Sequence, residues 1–325
     1  MDILITEDLA SPHIDALAGK FHVVREPGLW KDAAALRERI REARTLMVRN
    51  QTQLTAEILA SAPNLIGIGR IGVGLDNIDV KAASERGIVV VAPLEANAIS
   101  VAELTIGLML ALARKIAFAD RSTKAGGWDR RGCTGVELSG KTLAIVGFGR
   151  IGRLVAARVR AFHMQVAVYD PYLTAEKAGI TDSGVAFHPN LEDALAQADF
   201  VTVHLPLTPE TKHLFGAKKF AATKPGAYFI NTSRGGVVDE AALLGALRSG
   251  QLAGAALDVR ATEPPVEPGP LAALDNVILL PHVGAFTHEA QVRTFEAVCT
   301  DLGRVLSGKP AFNAVNFPTP RRTQG

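Results

Sequence analysis

Three residues of this 325-residue chain are of the types that acid–base chemistry on a small carboxylic acid requires. His282, in LLPHVGA, carries an imidazole whose reference pKa of about 6.5 lies near working pH, so it can both give and take a proton. Glu263, in ALDVRATEPP, would stabilise an imidazolium beside it and fix its tautomer. Arg234, in INTSRGG, offers a planar, permanently charged fork for a carboxylate and an adjoining carbonyl. With a nicotinamide nearby, this set fits hydride transfer to or from a carbinol carbon, the hydroxyl proton travelling on the histidine. Each residue has a plain alternative as a loop histidine, a solvated acid or a surface base. The functional reading rests on all three falling on successive strand-end loops.

The nucleotide half of that chemistry is written between Leu143 and Asp170, LAIVGFGRIGRLVAARVRAFHMQVAVYD. Leu143 to Val146 reads as a buried strand, and Gly147, Gly149 and Gly152 follow at the G-x-G-x-x-G spacing. Residues Arg150 to Phe162 carry helix-period apolar positions, and Val166 to Tyr169 reads as a second strand. In such a unit the first glycine permits a tight turn, the second lets the backbone approach a pyrophosphate, and the third lets helix and strand pack closely. The helix N-terminus receives the phosphate charge. Asp170, eighteen residues past Gly152, stands where a carboxylate hydrogen-bonds a ribose diol and repels a 2′-phosphate, so the expected cofactor is NAD.

The elements that must position these residues alternate along the whole chain. Ile3 to Thr6, His22 to Val24, Thr45 to Val48, Leu65 to Gly69 and Ile88 to Val91 read as strands. Ile14 to Ala18, Ala33 to Glu42, Ala56 to Ala60 and Val80 to Arg86 read as the helices between them. This is a complete parallel α/β domain, so the glycine fingerprint belongs to a second one. Arg49 and Arg70 fall at carboxyl ends of strands in the first, and Gly72 and Gly74 can turn backbone N–H groups toward an anion; the alternative is two surface charges and a simple turn. Ser100 to Ala119 reads as one long helix opened by a Ser100–Glu103 capping box, apolar nearly all round and so buried all round. Lys124 to Glu137 reads as an exposed arm, whose Trp128 either docks on a neighbouring subunit or packs on its own domain. Beyond Asp170, Phe200 to His204, Ala227 to Asn231, Ala255 to Val259 and Val277 to Leu280 read as strands. The loops after them hold His204, Arg234, Asp258, Glu263 and His282.

Composition narrows the classes. With 35 basic and 33 acidic residues, the chain carries no basic stripe suited to nucleic acid. Two cysteines, Cys133 and Cys299, suggest neither a disulfide framework nor a metal site. The opening MDILITEDLA lacks the basic start of a signal peptide, and the longest apolar stretch is too short for a bilayer, so a soluble cytoplasmic protein with no membrane partner is expected.

Over roughly residues 49 to 289 the sequence resembles the D-isomer-specific 2-hydroxyacid dehydrogenases. The resemblance is carried by GRIGVGLDNID (69–79), SVAE (100–103), ELSGKTLAIVGFGRIG (137–152), HLPLTPET (204–211), NTSRGGVVDE (231–240), LDV followed by EPP (257–265) and PHVGA (281–285). It implies two doubly wound parallel α/β domains, a Rossmann-type cofactor domain (99–287) and a flavodoxin-like substrate domain (1–98 with 288–325), with the active site in their cleft. It implies Arg234, Glu263 and His282 as the catalytic trio. It also implies nucleotide contacts from Gly147, Gly149, Arg150, Ile151, Gly152, Asp170, His204, Pro206, Thr232, Ser233, Asp258, Gly284 and Ala285, and substrate contacts from the backbone of Val73 and Gly74. Members are usually homodimers.

Within the family the chain looks most like the 3-phosphoglycerate and sulfolactate dehydrogenase branch. VRNQTQLTAEIL (48–59), Arg70 and GWDRRGCTGVEL (127–138) resemble segments that hold a second anionic group, with Arg49, Arg70 and a subunit-borne Arg130 or Arg131 as its ligands. Three residues depart from the family pattern: Arg260 where an aromatic is common, Phe286 where a small hydroxyl residue is usual, and Ala92 for an asparagine. Ending at Gly325, the sequence is expected to lack the serine-sensing domain of many phosphoglycerate dehydrogenases. The rival readings are a glyoxylate or hydroxypyruvate reductase and, from another class, an NAD(H)-sensing corepressor-like binding protein.

Overall fold

The computed structural model of the protein describes residues 1–174, 176 and 184–318. Its contacts group into two compact units, Met1–Asn97 with the chain from Ala285 on, and Ala98–Gly284. The end of the expected return segment, 319–325, lies outside the described residues.

The first unit holds five short apolar strands, β1 (Ile3–Ile5), β2 (Val23–Arg25), β3 (Thr45–Val48), β4 (Gly67–Arg70) and β5 (Val89–Val91). They pair in parallel in the order β2-β1-β3-β4-β5, the flavodoxin-like arrangement. Helices cover both faces, which is why β3 and β5 are buried along their whole length. The helix His288–Leu306 returns to this unit and lies on β4, where a Cβ on Gly69 would meet Val298 Cγ1 at 2.6 Å, so only glycine admits it. Asp301, fully buried in that helix, accepts the backbone N–H groups of Phe312 and Asn313 at 2.8 Å each. They bring Ala314 into an antiparallel bridge with Val91 at the sheet edge.

The second unit holds seven parallel strands, β6 (Thr142–Val146), β7 (Gln165–Tyr169), β8 (Val185–Phe187), β9 (Phe200–Val203), β10 (Ala227–Asn231), β11 (Leu252–Leu257) and β12 (Val277–Leu279). Their order is β12-β11-β10-β9-β6-β7-β8. Chain direction across the sheet reverses between β6 and β9, and the crevice at the carboxyl ends of the strands beside such a reversal is where α/β sheets bind ligands. The glycine fingerprint leaves β6 at that point. Strand β8 was not anticipated; with only Val185 to Phe187 pairing, it gives almost no alternation to read.

The helix expected over Ser100 to Ala119 is corrected in three respects. It is two helices, Ala98–Ala113 and Ile116–Lys124, because Lys115 adopts a left-handed conformation (φ 51°) that ends the first. Ser100 is its third residue, buried, so it is not a cap. Burial is one-sided: Ala102, Met109 and Ala113 pack inward, while Ile99, Glu103 and Gly107 are exposed.

Candidate active site

At the fingerprint the three glycines have separate causes. Gly147 has φ 94°, and a Cβ there would meet the His204 carbonyl oxygen at 2.5 Å; a Cβ on Gly152 would meet the Gly147 carbonyl at 2.4 Å. Both are therefore demanded by the fold itself. Gly149 differs, since a Cβ there would meet nothing within 4 Å. It is the N-cap of the helix Arg150–Val159 and supplies no side-chain cap, so the space over the helix start is open to a phosphate. Asp170, just past β7, accepts the Phe148 N–H at 2.9 Å and the Tyr172 N–H at 3.0 Å, which fixes its carboxylate beside the turn. Phe148 anchors the turn from beneath, fully buried and edge-on to Phe187. Exposed Arg150 and half-buried Ile151 open the helix. These residues fit a dinucleotide.

His204 and Pro206 follow β9 on the neighbouring strand end. The His204 imidazole is desolvated, which pushes it down to about 3, and Nε2 lies 3.2 Å from Thr202 Oγ1. A ring that stays neutral through the working range cannot carry the proton, so His204 is not suited to that task.

The loop after β10 is shaped by Asn231. Its Oδ1 accepts the Ser233 N–H at 2.9 Å and the Ser233 hydroxyl at 2.8 Å, and its Nδ2 donates to the Arg234 carbonyl at 2.9 Å. The turn so closed sets Thr232 against Thr105, hydroxyl to hydroxyl at 3.0 Å, and presents Arg234 in extended conformation with Nη1 donating to the Ser233 carbonyl at 2.8 Å.

After β11 comes Asp258, 1% exposed. Its carboxylate accepts the N–H groups of Val283 and Gly284 at 2.8 Å each, and its carbonyl accepts the His282 N–H at 2.8 Å. Burial pushes this carboxyl up despite those two bonds. A Cβ on Gly284 would stand 2.9 Å from the carboxylate, so the glycine is what permits the grip. The grip holds His282 at φ 58°, a left-handed conformation costing of order 1 kcal/mol or more, with its side chain 45% exposed.

His282 Nδ1 lies 2.7 Å from Glu263 Oε2, and Glu263 Oε1 accepts the Arg260 N–H at 2.8 Å. Burial alone would raise the Glu263 carboxyl. The His282 hydrogen bond, the Arg260 N–H and the charges of His282 and Arg234 outweigh it and hold the carboxyl below its ordinary range. Glu263 is thus an anion, able only to accept, so Nδ1 carries the proton and Nε2 is left for chemistry.

The remaining residues belong to the first unit. The Arg49 N–H donates to Glu7 Oε1 at 2.8 Å, while its guanidinium donates to Gln291 Oε1 and lies 4.8 Å from the centre of the Phe286 ring. Burial pushes that guanidinium down. Arg70 is 8% exposed, and Nη1 donates to the Ile71 carbonyl at 2.7 Å. Its guanidinium fills the place of a side chain at Gly72, whose φ is 147°. Val73 and Gly74, half-buried, follow in the same bend, and Ala285 accepts from Gln291 Nε2 at 2.9 Å.

Sequence reasoning singled out neither Asn231, Glu7 nor Gln291. Asn231 could have been found as an asparagine at a strand end before a polar turn. Glu7 and Gln291 act on residues far along the chain and leave no local signal. A cavity lined by Lys115, Phe118, Tyr228 and Asn276 lies at the amino ends of the strands in the second unit, opposite the loops described above.

Residues 106–284 match the family profile described as D-isomer specific 2-hydroxyacid dehydrogenase, NAD binding domain. The D-3-phosphoglycerate dehydrogenase of Methanocaldococcus jannaschii is 46% identical over 97% of this chain and 59% of its own length. That of Archaeoglobus fulgidus is 44% identical over 98% and 60%. The chain thus spans about three fifths of the length of these curated relatives. Among solved structures, the TT0316 protein of Thermus thermophilus superposes with a TM-score of 0.90 at 35% identity, covering 97% of this chain and all of that one. The NADPH-dependent glyoxylate/hydroxypyruvate reductase of Sinorhizobium meliloti, in complex with NADP and malonate, does so at 0.87 and 31%, covering 100% and 99%.

Proposed function

Since this chain belongs to the D-isomer-specific 2-hydroxyacid dehydrogenases, we propose that it is an NAD-dependent oxidoreductase interconverting a D-2-hydroxy acid and its 2-oxo acid, the substrate bearing a second anionic group. The observation that carries the reading is the Glu263–His282 pair, 2.7 Å apart, in the same unit as a glycine turn that fits a dinucleotide.

When bound, the nicotinamide supplies or accepts the hydride. His282 Nε2 gives its proton to the oxygen on C2 during reduction and takes it back during oxidation. Glu263 holds the tautomer that makes this possible and stabilises the imidazolium. Arg234 clamps the carboxylate and polarises the carbonyl. The Val73 and Gly74 backbone also receives the carboxylate, and Asp170 takes the ribose diol and disfavours a 2′-phosphate. Arg49 and Arg70 receive the distal anion. Residues 1–98 with 288–325 serve the substrate, and 99–287 the dinucleotide. The protein works in the cytoplasm as a homodimer; the dimer is supported by exposed Ile99 on the helix Ala98–Ala113.

One observation favours a second reading, a glyoxylate or hydroxypyruvate reductase. Arg49 is already engaged by Gln291 and Phe286, and Arg70 by the Ile71 carbonyl, as purely structural arginines would be. Oxidation of NADH by the purified protein against 2-oxo acids with and without a distal phosphate, sulfonate or carboxylate separates the two. Selectivity for a distal anion is expected. Turnover of small acids alone would favour the second reading, and no turnover at all would refute both.

A further inference from the structure

Arg260 stands three residues past β11, in the loop that carries Glu263. Its guanidinium closes a two-point ion pair on Glu240, Nε to Oε1 at 3.0 Å and Nη2 to Oε2 at 2.9 Å, and the Ala261 N–H donates to Glu240 Oε1 at 2.9 Å. The pair is largely enclosed, the two side chains being 12% and 25% exposed. Glu240 is the first residue of the helix Glu240–Arg248, but Asp239 caps that helix by accepting from Ala241 and Ala242. The Glu240 carboxylate is thus not consumed by its own helix and is turned to the neighbouring loop. The Arg260–Ala261 peptide also rests on Gly235, where a Cβ would come within 1.9 Å of the Arg260 carbonyl. The pair therefore ties the Glu263 loop to the loop presenting Arg234.

We propose that Arg260 and Glu240 are positioning residues, a charge-balanced clamp that holds Glu263 against His282 and sets the pH at which His282 exchanges its proton. The proposal rests on the reading of His282 as the proton carrier. The clamp reaches the dyad in two ways. Its geometry fixes the Arg260 backbone N–H that Glu263 Oε1 accepts at 2.8 Å. Its charges nearly cancel, so the dyad feels neither fully. Asp258 and Arg234 are among the ionisable groups that act on the dyad, besides Arg260.

The signs follow from Coulomb's law. Glu240→Gln leaves the Arg260 cation unbalanced, which disfavours the imidazolium and moves the His282 titration to lower pH. Arg260→Gln leaves the Glu240 anion unbalanced and moves it to higher pH. Each shift should be roughly half a pH unit, and the double variant should return close to the parent. Looser packing alone has no reason to move the two variants in opposite directions.

The test is the His282 titration by NMR on the full chain labelled at histidine, assigned with His282→Gln, beside the pH profile of 2-oxo acid reduction. Arg260→Lys, which keeps the charge but not the two-point geometry, should keep the parent midpoint with a lower kcat, and it covers the case where a neutral variant fails to fold. Shifts of one sign in both neutral variants, no shift in either, or a midpoint moved by Arg260→Lys would overturn the proposal. Opposite shifts in a protein that reduces no 2-oxo acid would support the clamp and refute the proposed function, because the NMR titration needs no turnover.

Discussion

Glu263 Oε2 and His282 Nδ1 stand 2.7 Å apart, although they lie on the loops of two different strands, and Asp258 sets the second of those loops. Glu263 is held ionised by partners that outweigh its burial, so it favours the charged form of the ring opposite. In Glu263→Gln the imidazolium loses that anion and gives up its proton at lower pH. Reduction of a 2-oxo acid needs protonated His282, so its alkaline limb should retreat toward acid by roughly one unit or more. The kcat/KM profile against pH measures this, and a limb that stays in place would remove Glu263 from the role. In the same assay His282→Gln should cost kcat about 10²–10⁴-fold with NADH affinity nearly unchanged.

Asp170 should decide between the two dinucleotides by charge. Its carboxylate also ties Phe148 and Tyr172 through their N–H groups, so Asp170→Ala loosens the turn for either cofactor, whereas Asp170→Asn keeps an acceptor and removes the charge. Apposition of like charges costs several kcal/mol, so both variants should narrow the NADH-to-NADPH ratio of kcat/KM by roughly tenfold or more. A ratio that both variants leave unchanged would mean that other residues set the preference.

The parts legible in the sequence were those in which neighbours along the chain do the work. Strands β3 and β10 and the helix Ala56–Ala60 fall at the residues read from apolar runs, because their cores are local periodicities. The break at Lys115 escaped notice, since the apolar pattern of Ile116 and Phe118 continues past a residue whose backbone turns left-handed. At the site, the residue types at strand ends exposed Arg234, Glu263 and His282 as candidates. Of the supports, Asn231 under Arg234 is a local turn residue at a strand end, whereas Glu7 under Arg49 acts by tertiary contact and has no periodic signature. Glu240 lay inside a quoted motif, but nothing in the spacing ties it to Arg260.

Phe286 should tune Arg49 rather than the chemistry. Its ring lies 4.8 Å from the guanidinium carbon, and such a contact contributes about 0.5–1 kcal/mol when partly exposed. Phe286→Ser should let Arg49 rehydrate and move, raising KM for a substrate with a distal anion by roughly two- to fivefold and leaving kcat and the KM for glyoxylate nearly as before. Steady-state kinetics on one substrate of each kind would show it. Equal changes on both would assign Phe286 to general packing.

Gly149 and Gly152 belong to one motif but answer to different causes, and two alanine variants should separate them. A methyl at 152 meets the Gly147 carbonyl oxygen at 2.4 Å, a backbone atom that cannot swing aside, so helix and strand must part. Overpacking of this kind costs about 1–3 kcal/mol, and Gly152→Ala should lower the melting temperature whether or not dinucleotide is present. At 149 a methyl meets no protein atom within 4 Å, and a backbone at φ −72°, ψ −156° suits alanine, so Gly149→Ala should melt close to the parent. The methyl would instead stand where the pyrophosphate must approach, and NADH affinity measured by fluorescence titration should weaken roughly tenfold or more. A Gly149→Ala protein that binds NADH as tightly as the parent would mean that the open space over this helix start is not where the phosphates lie.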